Sequence, residues 1–109
     1  MTFLCTGMLR VVPVRIEILS VPDCPNRDTT DSRVRAALAR RQVTAAVRHV
    51  EVATAEDAAR LGMNGSPTVL VDGRDPFEGG GPSLSCRLYQ TDDGLRGSPT
   101  IDQLVDALL

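Results

Sequence analysis

Residues 63–73 read MNGSPTVLVDG, and the tetrapeptide GSPT in this stretch returns at residues 97–100, within LRGSPTIDQLVDALL. After the first copy, the apolar run TVLV ends in Asp-Gly, which is typical of a strand followed by a turn. Pro67 cannot donate a ladder hydrogen bond, so it must stand at the first residue of that strand or at an edge. After the second copy, Ser98 is predicted to be the N-cap of a helix and Pro99 its first residue. The same four letters therefore open a strand in one place and a helix in the other.

Hydrophobic periodicity gives the other elements. Alternation in VPVRIEILS predicts a first strand, and SRVRAALARRQ predicts an amphipathic helix that begins between Pro25 and Asp31. VTAAVRHVEV predicts a second strand, and Thr54 caps a short helix that ends at Gly62. LSCRLYQT predicts a last strand, with an inner face formed by Leu84, Cys86 and Leu88. The last helix has a buried stripe of Ile101, Leu104, Val105 and Leu108. The order is β-α-β-α-β-β-α, which indicates an α/β fold.

Composition limits the function classes. The chain has 109 residues, enough for one domain, and we predict a frayed tail over 1–12 and a single domain over 13–109. The 12 basic and 14 acidic residues nearly balance, which disfavours nucleic acid as a partner. No apolar run approaches the ~20 residues of a membrane span, and no secretory signal is evident, so we expect a cytoplasmic protein without a membrane partner. Its oligomeric state is left open.

Three features together resemble the thioredoxin superfamily: the element order, a cysteine between the first strand and first helix, and a Ser-Pro-Thr that enters the third strand. The motifs Cys24-Pro25-Asn26, GSPTVLVDGR (65–74) and CRLY (86–89) are similar to those of small bacterial thioredoxin-like proteins, some of which are labelled alkylmercury lyase. The resemblance implies a four-stranded mixed sheet with helices on both faces. It also implies a cis Ser66-Pro67 bond that faces Cys24.

The resemblance further implies that Cys24 is the reactive thiol and Pro67 its neighbour, within a substrate groove formed by Pro25, Asn26, Ser66 and Thr68. The second cysteine of the thioredoxin pattern is replaced by Arg27. A disulfide between those two positions is thus excluded, and a one-cysteine mechanism is expected. A nearby helix N-terminus and Arg27 would stabilise a thiolate, whereas the carboxylates of Asp23 and Asp28 would oppose it.

Cys86 is the possible second thiol, but its place on the predicted inner face, near the end of TVLV, favours an inert core residue. Cys5 lies in the predicted tail. These cysteines and His49 lack metal-site spacing, so no metal and no cofactor are expected. The partner would be a protein that contains a disulfide, or a low-molecular-weight thiol. Two alternatives remain open: soft-metal (mercury) binding or a lyase-related role, and a non-catalytic module that binds a partner protein.

Overall fold

A computed structural model describes residues 14–77 and 80–108. The predicted tail over 1–12 and Cys5 lie outside the described residues. The helices and strands, in chain order, are β1 (Val14–Ser20), α1 (Arg27–Arg41), β2 (Ala45–Glu51), α2 (Ala55–Leu61), β3 (Asn64–Ser66), β4 (Thr68–Val71), β5 (Ser83–Cys86), β6 (Tyr89–Thr91), β7 (Gly94–Arg96) and α3 (Ile101–Ala107).

The central sheet is mixed and has the order β2-β1-β4. Strands β1 and β2 run parallel, with Ile18 opposite His49, and α1 makes the crossover that a parallel pair requires. Strands β1 and β4 run antiparallel, with Ile18 opposite Val69. The predicted α/β class is confirmed, and β1, β2 and β4 lie where the periodicity placed them.

The expected fourth strand of this sheet is not found among the described residues. Segment 84–91 does not form one strand beside β4. Instead β5 pairs parallel with β3, with Cys86 opposite Ser66, and β6 pairs antiparallel with β7. The physical reason lies at Arg87, which follows β5 directly: its side chain turns into the interior, with a relative exposure of 5%.

Leu84 packs against an apolar cluster as predicted, but the inner and outer positions of residues 86–89 are the reverse of the prediction. Leu88 is 61% exposed and Cys86 is exposed, whereas Arg87 and Tyr89 are buried. A buried polar group is tolerated when it is hydrogen-bonded. Arg87 meets the carboxylate of Asp75 at 2.6 Å, and the Tyr89 hydroxyl donates to a carbonyl at 2.6 Å. These two polar partners, far away in the sequence, outweigh the apolar alternation.

Two apolar clusters lie on opposite faces of the sheet. Ile16, Ile18 and Val69 pack with residues of α1 and α3. Leu19 and Leu70 belong to a second cluster with Val52, Ala58 and Met63, which includes a residue of α2. Helices therefore cover both faces, as expected. Each fully buried aliphatic side chain stabilises the fold by roughly 1.5–3 kcal/mol before conformational entropy is subtracted.

The N-terminal ends of the helices agree with the sequence prediction for α1 and α2 but not for α3. The N-cap of α1 is Asn26, inside the predicted interval, and Thr54 caps α2 by accepting from the Asp57 N–H at 3.1 Å. For α3 the predicted cap, Ser98, is wrong. Thr100 is the N-cap and forms a capping box with Gln103, at 3.1 Å and 2.9 Å. The Thr-x-x-Gln pattern is a capping signal that the Ser-Pro pair obscured.

The stripe predicted for α3 is confirmed, because Leu104 is buried in the first cluster and Ile101, Val105 and Leu108 pack against it. Among the described helices, none combines the length and apolarity that crossing a membrane would need.

Candidate functional site

Cys24 lies at the junction of two consecutive β-turns. In the first, the Cys24 N–H donates to the Val21 carbonyl at 3.2 Å. Pro22 occupies the second position of this turn and Asp23 the third, where its φ of +59° is left-handed. Proline followed by a left-handed residue is the type II pattern, and Asp is among the few non-glycine residues that adopt it readily.

In the second turn, the Cys24 carbonyl accepts from the Arg27 N–H at 3.3 Å. Pro25 occupies the second position, and Asn26, at φ −103° and ψ 3°, has the conformation of the third residue of a type I turn. Both turns thus have a proline at the position where its fixed φ is already correct. These two locally encoded turns place Cys24 between β1 and α1, and the residue is half-buried.

Two positive groups lie close to Cys24 in the sequence: the Arg27 guanidinium and the N-terminus of α1. The Arg27 guanidinium contacts the adjacent Asp28 carboxylate, at 3.3 Å from Nε and 3.2 Å from Nη2. The Asp28 carboxylate therefore partly neutralises the positive charge that Arg27 could place near Cys24. The Asn26 side chain makes no capping hydrogen bond, so it leaves first-turn N–H groups of α1 uncapped two residues beyond Cys24.

Ser66 joins the loop of residues 21–27, called the Cys24 loop below, to the first GSPT segment. Its Oγ accepts from the Val21 N–H at 3.0 Å, and the side chain is buried. The Ser66-Pro67 peptide bond is cis, as the resemblance implies. The first turn of the Cys24 loop and the residue before Pro67 are consequently in direct contact.

Tyr89 approaches Pro67 from the other side. Its hydroxyl donates to the Pro67 carbonyl at 2.6 Å. Burial raises the pKa of Tyr89; the Arg87 charge opposes that rise, and the charges of Asp75 and Cys24 add to it. Tyr89 is therefore within electrostatic reach of Cys24. The alternation of residues 84–91 predicts Tyr89 on the outer face and gives no signal for this contact.

A buried ion pair supports the same segment. Arg87 Nη1 lies 2.6 Å from Asp75 Oδ2, with side-chain exposures of 4% and 10%. Arg87 Nη2 also donates to the Phe77 carbonyl at 3.1 Å, and the guanidinium stacks 4.5 Å from the centre of the Tyr89 ring. The Arg87 N–H donates to the Ser66 carbonyl at 3.0 Å. This cluster fixes the chain on both sides of Pro67.

The expected groove residues Ser66 and Thr68 use their side chains inside the protein. Thr68 Oγ1 donates to the Gly65 carbonyl at 2.6 Å and accepts from the Asn64 N–H at 3.0 Å. Both side chains are buried. As whole residues, Ser66 and Thr68 are 2% and 0% exposed, so neither presents a surface to a partner in this structure. Pro25 is exposed and Asn26 half-buried, beside Cys24.

The second GSPT segment packs against the start of α1. A Cβ built on Gly97 would overlap the Asn26 side chain, and the Ser98 and Thr30 hydroxyls lie 2.9 Å apart. The two GSPT segments thus contact the region around Cys24 at different points. No pattern in the sequence indicates this convergence.

The prediction that Cys86 is an inert core residue is wrong. Cys86 is exposed, and it lies opposite Ser66 because β5 pairs with β3 and not with β4. Cys86 also lines an open groove of about 380 Å³, whose other walls include Gly65, Gly80, Gly81 and Ser83. The second cysteine is thus close to the segment that contacts the Cys24 loop.

Metal binding receives no support from clustering. Within 14–77 and 80–108, no three side chains of the His, Cys, Asp and Glu types gather as a metal site would require. His49 Nε2 lies 2.8 Å from Asp31 Oδ1 on the surface.

Comparison with known proteins gives no match. No protein-family model matches the chain, and neither a curated protein nor a solved structure is significantly similar to it. Function must therefore be inferred from the geometry of the site.

Proposed function

We propose that this chain is a thioredoxin-like thiol-exchange protein in which Cys24 is the attacking sulfur. One observation carries the proposal: the hydrogen bond from the Val21 N–H to Ser66 Oγ, which holds the cysteine loop against the segment that leads into Pro67. A cysteine that is not fully buried, in a loop held against a proline-containing segment, is suited to attack a disulfide that docks beside it.

The reaction consists of two exchanges. The Cys24 thiolate attacks one sulfur of a substrate disulfide R–S–S–R′, forms the mixed disulfide Cys24–S–S–R, and releases R′–S⁻, which takes up a proton. An external thiolate R″–S⁻ then attacks the mixed disulfide, releases R–S–S–R″ and restores Cys24. No net electron transfer to the protein occurs, so one cysteine is sufficient. The substrate class is a protein disulfide or an oxidised small thiol in a reducing compartment.

Other residues have supporting roles in this proposal. The uncapped N-terminus of α1 provides positive potential near the sulfur. Pro25 and Asn26 would form the accessible wall of the groove beside Cys24. The order β2-β1-β4, with helices on both faces, supports a thioredoxin-like fold, with β5 and β6 in place of one continuous fourth strand.

Exchange kinetics test the proposal. In a Cys5→Ser background, the protein should accelerate exchange between oxidised glutathione and a chromogenic thiol. Cys24→Ser should reduce the rate to that of buffer, because it removes the attacking sulfur, whereas Cys5→Ser alone should leave it unchanged. If Cys24→Ser retained the rate of its background, Cys24 would not be the nucleophile.

A second candidate function is capture of a soft metal ion by two thiolates. The exposure of Cys86, opposite Ser66, favours it, since soft ions select thiolates. Mercuric ion should bind the wild-type protein more tightly than the Cys86→Ala variant. Equal affinity and stoichiometry would remove this candidate.

A further inference from the structure

We propose that Cys86 is the resolving thiol for Cys24. This inference rests on the proposed function and extends it. The Cys86 thiolate attacks the mixed disulfide on Cys24, and the protein gives up two electrons as it forms a Cys24–Cys86 disulfide.

Ser66 connects the two cysteines in space. Its Oγ bonds to the first turn of the Cys24 loop, at Val21, and its Cα is the partner of Cys86 in the β3–β5 pair. Cys86 therefore lies on the strand beside the residue whose hydroxyl contacts the Cys24 loop. Adjacent strands are only about 4.8 Å apart.

Strand β5 can also make the adjustment that a disulfide demands. A disulfide requires Cα atoms within about 7 Å of each other. Among the described residues, β5 pairs with β3 alone, and the register shifts between Asn64 and Ser66. A short edge strand with one irregular partner loses few hydrogen bonds when it moves. The buried Arg87 limits that movement on the C-terminal side, so Cys86 would pivot about a fixed neighbour.

Neither cysteine is fully buried. Cys86 is exposed and Cys24 half-buried, so a small disulfide can reach either one and a thiol product can leave. The open groove lined by Cys86 leaves space for the departing group.

The atoms and electrons balance without a further reactant. Attack of the Cys86 thiolate on Cys24–S–S–R forms Cys24–S–S–Cys86 and releases R–S⁻. Together with the first exchange, the substrate disulfide is reduced to two thiols, and the two cysteines, having lost two electrons and two protons, form one disulfide.

The fate of the adduct on Cys24 tests the inference. The reduced Cys5→Ser protein receives one equivalent of oxidised glutathione, and intact-mass spectra with peptide mapping follow the products. We expect a transient glutathione adduct on Cys24 that converts to a monomeric protein with an internal disulfide. In Cys86→Ser the adduct should persist, and release of the second glutathione should slow by on the order of tenfold or more, because intramolecular attack is lost.

A matched variant controls for direction. Ser85→Cys combined with Cys86→Ser shifts the thiol by one residue to the opposite face of β5, at another exposed position. This double variant should behave like Cys86→Ser. If it resolved the adduct as fast as Cys86 does, position on the face would be irrelevant and the inference overturned.

The outcomes separate the two levels of the proposal. A persistent adduct on Cys24 with Cys86 present, or disulfide-linked dimers in place of an internal disulfide, would overturn the resolving role while the proposed function stands. No adduct on Cys24 in any variant would overturn the proposed function itself.

Discussion

The two GSPT segments share four letters and differ in what surrounds them. In the first, Gly65 to Thr68 are all buried, and hydrogen bonds from Val21, Tyr89 and Asn64 end on this segment. In the second, Ser98 and Pro99 are buried, while Thr100 caps a helix at the edge of the fold. The same tetrapeptide therefore forms a buried link between two strands in one place and a helix entrance in the other, because distant partners decide its role.

The largest expected difference lies in the ion pairs beside the segments. Arg87–Asp75 and Arg40–Asp102 both have N–O distances of 2.6 Å, but the first pair is 4% and 10% exposed and the second 55% and 86%. Asp75→Asn should cost about 3–5 kcal/mol of unfolding free energy, because it breaks an ion pair between two buried side chains. Asp102→Asn should cost less than about 1 kcal/mol. Urea denaturation measures both.

Equal costs for the two variants would show that burial does not distinguish these pairs. The exposed pair should also weaken in high salt, whereas the buried pair should not.

The next difference concerns the two glycines. Gly65 has φ +100°, and a Cβ there would lie 2.9 Å from Arg87 Cβ. Gly65→Ala should cost about 2–4 kcal/mol, because left-handed strain and overlap add. A Cβ on Gly97 meets the end of the Asn26 side chain, which can rotate, so Gly97→Ala should cost about 1 kcal/mol.

The glycine variants should also differ in reactivity. Gly97→Ala displaces the Asn26 side chain, which lies beside Cys24. The alkylation rate of Cys24 should therefore change by more than the small loss of stability in this variant would cause. An unchanged alkylation rate would show that Asn26 does not position the cysteine loop.

Alkaline pH should loosen the first segment selectively. Burial raises the pKa of Tyr89 above its ordinary value of 10.0, so the folded state favours the neutral hydroxyl. Its stabilisation is complete below that ordinary value and is lost as the pH rises, by up to about 1.4 kcal/mol per pH unit, because the unfolded chain ionises first. Tyr89 is the sole tyrosine and the chain has no tryptophan, so ultraviolet absorbance of tyrosinate reports its ionisation directly.

Tyr89→Phe is the control for that titration. It should lower stability at neutral pH by about 1 kcal/mol, because the Pro67 carbonyl loses its donor, and it should flatten the decline above pH 10. Ordinary titration of Tyr89 in the folded protein would contradict its burial against Pro67.

The smallest expected effect distinguishes two hydroxyls of the second segment. Thr100→Ala should cost about 1 kcal/mol, since it removes the cap of α3, while Thr100→Ser should retain most of the stability. If Thr100→Ala were neutral in thermal unfolding and Ser98→Ala frayed the helix in circular dichroism, the cap would be at Ser98 as the sequence suggested.

The sequence patterns predicted the elements that need only an apolar layer to pack against. They did not predict residues whose burial depends on one particular polar partner. Ile16 and Ile18 need only an apolar layer, so alternation was enough to place β1. Arg87 and Tyr89 are buried because Asp75 and the Pro67 carbonyl receive them, and no local pattern shows such partners. The wrong prediction of a buried Cys86 has the same cause, because the inner and outer positions of residues 86–89 were exchanged. The loop of Cys24 was predictable, since its prolines define its turns.

The order in which the cysteines react tests the central claim most directly. Cys86 is more exposed than Cys24, so accessibility alone would make Cys86 react first. The folded Cys5→Ser protein, treated with a substoichiometric amount of oxidised glutathione, quenched rapidly and peptide-mapped, should carry its first adduct on Cys24, and this preference should vanish in denaturant. A first adduct on Cys86, with Cys24 still free, would contradict an attacking role for Cys24.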